Sequence, residues 1–239
     1  MNRTVIRLTT RGMLGGRRIF LVAAMAIVLI GLAVIVRAYS GDPLSERDVA
    51  GFIQPLALAA VMPLFGLIVG TGAIGPEIDD GSIIHLLSKP VSRATIVQSK
   101  LVVALSATVL FAVLPTMIAT LTLGGSLELA LAIGVGALAA GAVYSVLFML
   151  LAILTRHAVI IGLVYALLWE GLIGSLMPGA REISVRQWAL SVTDAMAEPG
   201  VFTSHVGIVL AVSLIIGGLT LGTWYAGERL RVLTLASDD

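Results

Sequence analysis

The chain of 239 residues contains no cysteine, which excludes disulfides and cysteine-ligated metal centres. It has two lysines, Lys89 and Lys100, and neither follows a glycine as the phosphate loop G-x-x-x-x-G-K-[ST] requires. ATP hydrolysis by this chain alone is therefore not expected. A G-x-S-x-G elbow and an H-E-x-x-H helix are also absent, so no intramembrane enzyme is expected. The three histidines, His85, His157 and His205, are far apart in sequence, which argues against a shared metal site. Charged residues are 12% of the chain, against about 25% in a soluble domain. Strand alternation is missing as well, which disfavours a barrel.

What fills the chain is hydrocarbon. The apolar fraction is 58% and the mean hydropathy +1.05, above the roughly 45–50% apolar content of soluble domains. Six stretches are long enough to cross about 30 Å of lipid at about 1.5 Å per residue: 19–36, 52–75, 101–123, 129–154, 159–177 and 206–226. Backbone groups in lipid must be satisfied within the segment, so these stretches are expected to be helices. The fold class is all-α: a six-span polytopic membrane protein, with residues 1–239 forming a single transmembrane domain.

An even count puts both termini on one side. That side carries eleven of the fifteen lysines and arginines, including Arg3, Arg7, Arg11, Arg17 and Arg18 and the bases of the loop between spans two and three. Arg37, Arg47, Arg181 and Arg186 are left for the other. The positive-inside rule then predicts a multi-pass cell-membrane protein with cytosolic termini. The first apolar run exceeds the roughly 7–15 residues of a signal-peptide core and lacks a small-x-small site, so it reads as an uncleaved span. Arg3, Arg7 and Arg11 fall on one helical row, which suits an N-terminal helix on the inner surface; the alternative is a frayed basic tail.

Span two carries Pro55 and Pro63, followed by Gly66, Gly70, Gly72 and Gly75, a pattern of kinking and close helix approach. Gly218 and Gly222 read the same way. In the outer loop 178–205, Ser184 stands three residues before Gln187, and Val185, Trp188, Val192 and Met196 recur at helical intervals. An amphipathic outer helix is expected there, with Trp188 at the membrane interface. Glu170 lies well inside span five, where a lone carboxylate costs several kcal/mol unless partnered. Gly162, Ala166 and Gly174 share its face, so it should point at another helix. Three readings compete for it: glue between helices, the lining of a transport route, or proton coupling.

The remaining feature is the polar segment 76–100, PEIDDGSIIHLLSKPVSRATIVQSK. Acids open it, an apolar knot follows and bases close it. Asp79 and Asp80 are adjacent and diverge on a helix, so they suit a solvated helix start better than a catalytic pair. Pro90 stops a short helix over about residues 80–87, and Ser92 can cap the next helix. Ile83, Ile84 and Leu87 then form a small cytosolic apolar face, which either meets a protein partner or lies on the inner membrane surface.

Glu77, Gly81, Ser82, Ile83, Leu86, Leu87, Ser88, Pro90, Val91, Ser92 and Arg93 match the pattern E-x-x-x-G-[ST]-[IL]-x-x-L-L-S-x-P-[VI]-[ST]-R, and Tyr165, Trp169 and Glu170 give a Tyr-x-x-x-Trp-Glu segment in span five. With six spans and cytosolic termini, the chain resembles the permeases of ABC type-2 transporters. That resemblance implies a non-enzymatic transport subunit, in an exporter, that binds no cofactor itself. ATP and magnesium would act at two copies of a partner ATPase. The loop would be a coupling helix docking on that ATPase through Glu77, Gly81, Ser82, Ile83, Leu86, Leu87, Pro90 and Arg93. A second permease subunit, identical or paralogous, would complete the route; membrane lipid surrounds it and no nucleic acid is involved. The rival reading is a proton-coupled secondary transporter using Glu170.

Overall fold

The computed structural model of the chain describes residues 17–79, 81, 93–173 and 178–235. Among these there is no strand; the protein is an all-α membrane protein. Helix α1 is Arg17–Tyr39. The second long helix joins α2 (Glu46–Gln54), a π-helical stretch Pro55–Val61 and α3 (Met62–Asp79). The third joins α4 (Arg93–Thr108), a π-helical stretch Val109–Val113 and α5 (Leu114–Thr122). Then come α6 (Leu127–Leu154), α7 (Ala158–Val164) running into a π-helical stretch Tyr165–Ile173, the short α8 (Pro178–Arg181), α9 (Val185–Met196) and α10 (Ile208–Leu235).

Two of the π-helical stretches have a cause in sequence. The amide of Met62 bonds back to Ala57 and that of Leu114 to Val109, each five residues earlier. A proline follows in both cases, Pro63 and Pro115. A proline ring collides with the carbonyl four residues before it and offers no N–H, so a widened turn just ahead relieves the conflict.

Among the described residues, five helices are long and apolar enough to cross a membrane: Arg18–Tyr39, Glu46–Ile78, Arg93–Thr122, Leu127–Leu154 and Ile208–Arg231. The stretch expected as span five is a shorter apolar helix, Ala158–Leu172, so the count of six depends on that helix. Helix α6 is the hub. Its most apolar stretch is 61% buried, against 22% for α1 and 11% for α10, which leaves those two facing outward. Glycine makes the hub tight. A Cβ on Gly66 would fall 2.4 Å from the Tyr144 Cβ, one on Gly70 2.8 Å from the Ser145 carbonyl, and one on Gly222 2.5 Å from Val146 Cγ1. Gly66 and Gly70 are thus points of close approach between backbones, and Gly222 one of close approach to a side chain, as their spacing suggests, while Gly218 makes only an ordinary contact with Val143.

Two long-range contacts identify one end of the bundle. Arg47 Nε donates to the Gly200 carbonyl at 2.9 Å, and the Ser126 amide donates to Glu46 Oε1 at 3.3 Å. At the opposite end of α6, Leu154 passes through a tight turn into α7, where the His157 amide bonds Thr155 Oγ1 at 3.2 Å. The segment from Ala158 therefore starts at the far end and is back beside Arg47 by Gly200.

Candidate functional site

The neck of the polar loop is held by an ion pair. Lys100, on α4, is fully buried; its Nζ lies 2.7 Å from Glu77 Oε1 and donates to the Ala73 carbonyl at 2.5 Å. Glu77 and Ala73 are one turn apart on α3, so a single ammonium bridges the helix entering the loop and the helix leaving it. Glu77 Oε2 is also buried and has no hydrogen-bond partner among the described residues. Arg18 of α1 lies over Gly72, where an added Cβ would be 3.0 Å from Nη1. Cations from two helices thus flank the last turns of α3.

Gly81 terminates that helix. Its φ of +73° is left-handed, a conformation open to glycine, and its amide bonds the Ile78 carbonyl at 3.3 Å. Arg93 begins α4, where the sequence places a fresh helix start. Of the eight proposed docking residues, then, Glu77, Gly81 and Arg93 stand at the neck. Ser82, Ile83, Leu86, Leu87 and Pro90 lie outside the described residues, as do the N-terminal arginine row and the short loop helix. Sequence reading counted Lys100 among the loop's bases but missed its pairing. The available signal was opposite charge at the two ends of one polar interruption.

The second site is built on Glu170. This carboxyl is fully buried and receives four donors: Tyr165 Oη at 2.8 Å, Ser184 Oγ at 2.6 Å, the Val185 amide at 3.1 Å and the Arg186 amide at 3.3 Å. The two amides are the first of α9. The other two open amides are also met, that of Gln187 by the Ser184 hydroxyl at 3.4 Å and that of Ser184 by the Arg181 carbonyl at 3.2 Å. Glu170 and the Ser184 hydroxyl thus satisfy three of the four amides that a helix start leaves open, and the Arg181 carbonyl takes the fourth. A carboxylate also complements the positive end of the helix dipole.

That need arises because α9 is sunk into the protein. A Cβ on Gly136 of α6 would fall 2.0 Å from Thr193 Oγ1 and 2.9 Å from the Ala189 carbonyl. The start of α9 shares a cavity wall with Val143, Val146, Leu147 and Leu150, past the midpoint of α6. Trp188, expected at the membrane interface, is instead buried, with Nε1 donating to the Glu182 carbonyl at 2.7 Å. The correction has a physical reason: α6 offers a stripe of small residues along which α9 packs, so its apolar face meets protein. The face of the span-five helix that carries Glu170 is likewise buried, with Gly162 against Leu67 and Phe148.

No group of histidines and acids that could hold a metal ion occurs among the described residues. No curated protein sequence matches the chain. Residues 17–180 match the family model described as ABC-2 family transporter protein, which covers more than half of the chain. A multi-pass bundle with a clamped loop between its second and third long helices thus belongs to the ABC-2 transporter family, the membrane-embedded permease subunits of ABC transporters.

Proposed function

We propose that the chain is one permease half of an ABC exporter, driven by a separate ATPase that engages the loop between α3 and α4. In this reading two permeases assemble with two ATPases, which hold the ATP and magnesium. The termini and the loop face the cytosol, and Glu77, Gly81, Ser82, Ile83, Leu86, Leu87, Pro90 and Arg93 form the coupling element. Ala158–Ile173 and the helices after it make the fifth pass.

The observation that carries the reading is the Lys100–Glu77–Ala73 clamp. A mobile loop would dissipate any push from a partner. A loop whose two ends share one buried ion pair passes displacement into the second and third long helices together. No phosphate loop occurs in this sequence, which fits a push supplied by a separate ATPase subunit.

Replacing Ile83 and Leu87 with Asp tests it. With a candidate ABC ATPase partner co-expressed, co-purification should fall at least about tenfold, the equivalent of one lost apolar anchor. Unchanged association and unchanged stimulated ATPase activity would sink the docking assignment.

A further inference from the structure

A cavity of 490 Å³ lies between α6, the π-helical Tyr165–Ile173 stretch, the start of α9 and α10. We propose that it binds the hydrocarbon chain of a bilayer lipid. The chemistry of the wall selects the occupant. Its side chains are aliphatic or aromatic and none is charged. Three of the polar groups on the wall are already committed: the Tyr165 hydroxyl and the Val185 amide to Glu170, and the Trp188 indole N–H to the Glu182 carbonyl. The other side-chain polar group there is the indole N–H of Trp169. A guest meets chiefly CH groups and ring faces, as expected of a site for an alkyl segment.

The position of the opening fixes the source. The cavity runs along α6 from Val143 to Leu150, within a helix long enough to span the membrane, and ends about one turn short of its terminus at Leu154. Its rim is continuous with the surface the protein turns to lipid. Ile183 on the rim is 61% exposed, Leu168 beside Trp169 is 49% and Leu221 beside Gly222 is 67%. A bilayer chain reaches this opening laterally without crossing water. Two of the wall residues, Tyr165 and Val185, are partners of Glu170, so an occupant rests directly on the contact joining the span-five helix to α9.

Gly218 supplies the test. A Cβ there would sit 3.8 Å from Val143 Cγ1, an ordinary contact, and any longer side chain would extend into the cavity. The full chain is reconstituted in phosphatidylcholine vesicles containing a trace of phosphatidylcholine with a mid-chain diazirine, irradiated and mapped by peptide mass spectrometry. Label is expected on 143–150 and 183–188, in the wild type and in Gly218→Ala. Gly218→Leu should lose it there while keeping label at the outward-facing Val209 and Ile216. Ile183→Trp, at the exposed rim where no packing is disturbed, should give the same loss. Undiminished cavity label in both blocking variants would overturn the proposal. So would wild-type label confined to Val209 and Ile216, the result expected if a second copy of the chain covers the opening.

Discussion

At the scale of single residues, two buried charges do different work, and substitution separates them. Lys100 has no exposed surface, whereas the Glu77 side chain is 26% exposed. Glu77→Gln therefore leaves the buried ammonium with neutral acceptors alone, the Ala73 carbonyl and the new amide oxygen, and no countercharge, at a cost of about 3–5 kcal/mol. Lys100→Met removes the fully buried charge and leaves Glu77, whose side chain is partly exposed and can turn its carboxylate toward water. Its cost should be smaller, about 1–3 kcal/mol. Denaturant unfolding in detergent reads both, and equal losses would contradict the clamp. Glu170 is the inverse case, an acceptor surrounded by donors. Glu170→Gln keeps one good acceptor oxygen and should cost about 1–3 kcal/mol. Glu170→Lys turns a cation toward the start of α9 and should cost more, with unfavourable dipole interaction added to four unmet donors. Trypsin gives the readout, since freeing α9 exposes the Arg181 and Arg186 cleavage sites; equal protection of the two variants would refute the assignment. The need for a partner to Glu170 was legible in sequence, because a lone acid inside an apolar run must find one. That the partners are the amides of α9 was not, because they lie 15 and 16 residues on and depend on a re-entrant path.

Between whole elements, glycine decides which contacts are fixed. Gly136 and Gly31 both sit inside membrane helices, yet a Cβ on Gly31 meets nothing within 4 Å while one on Gly136 meets Thr193 and Ala189. Gly31→Ala should stabilise by about 0.5–1 kcal/mol, because alanine is the better helix former. Gly136→Ala should lower the unfolding midpoint by displacing α9 from α6. A lower midpoint for Gly31→Ala or an unchanged one for Gly136→Ala would mean that these packing assignments are wrong. The spacing of small residues identified Gly66, Gly70, Gly218 and Gly222 as packing points, since helices must approach closely in lipid without hydrophobic driving force. It did not identify partners. For α9 the periodicity of Val185, Trp188 and Val192 gave a correct helix and a wrong environment. An apolar stripe has the same spacing against lipid headgroups as against a neighbouring helix, and only the small residues on α6, some fifty positions earlier, distinguish the two.

For the whole molecule, the open question is how many times the chain crosses. Ala158–Leu172 is short for a span, and its π-helical half rises less per residue than an α-helix. Yet α6 runs from the end marked by Ser126 and Glu46 to the end marked by Thr155, and Gly200 is back beside Arg47. A return of that length over residues 158–200 supports the proposed fifth pass, assembled from the short helix and the re-entrant α8 and α9. Five passes would put the termini on opposite sides; six put them together. The absence of cysteine makes this directly measurable, because any thiol introduced is the only one in the protein. Gly41→Cys and Glu198→Cys, both exposed, should react with a membrane-impermeant maleimide added outside intact cells. Arg156→Cys and Glu228→Cys should react only after permeabilisation. If Glu198→Cys instead behaves like Arg156→Cys, the short helix is a hairpin that turns back inside the membrane, and the chain crosses five times.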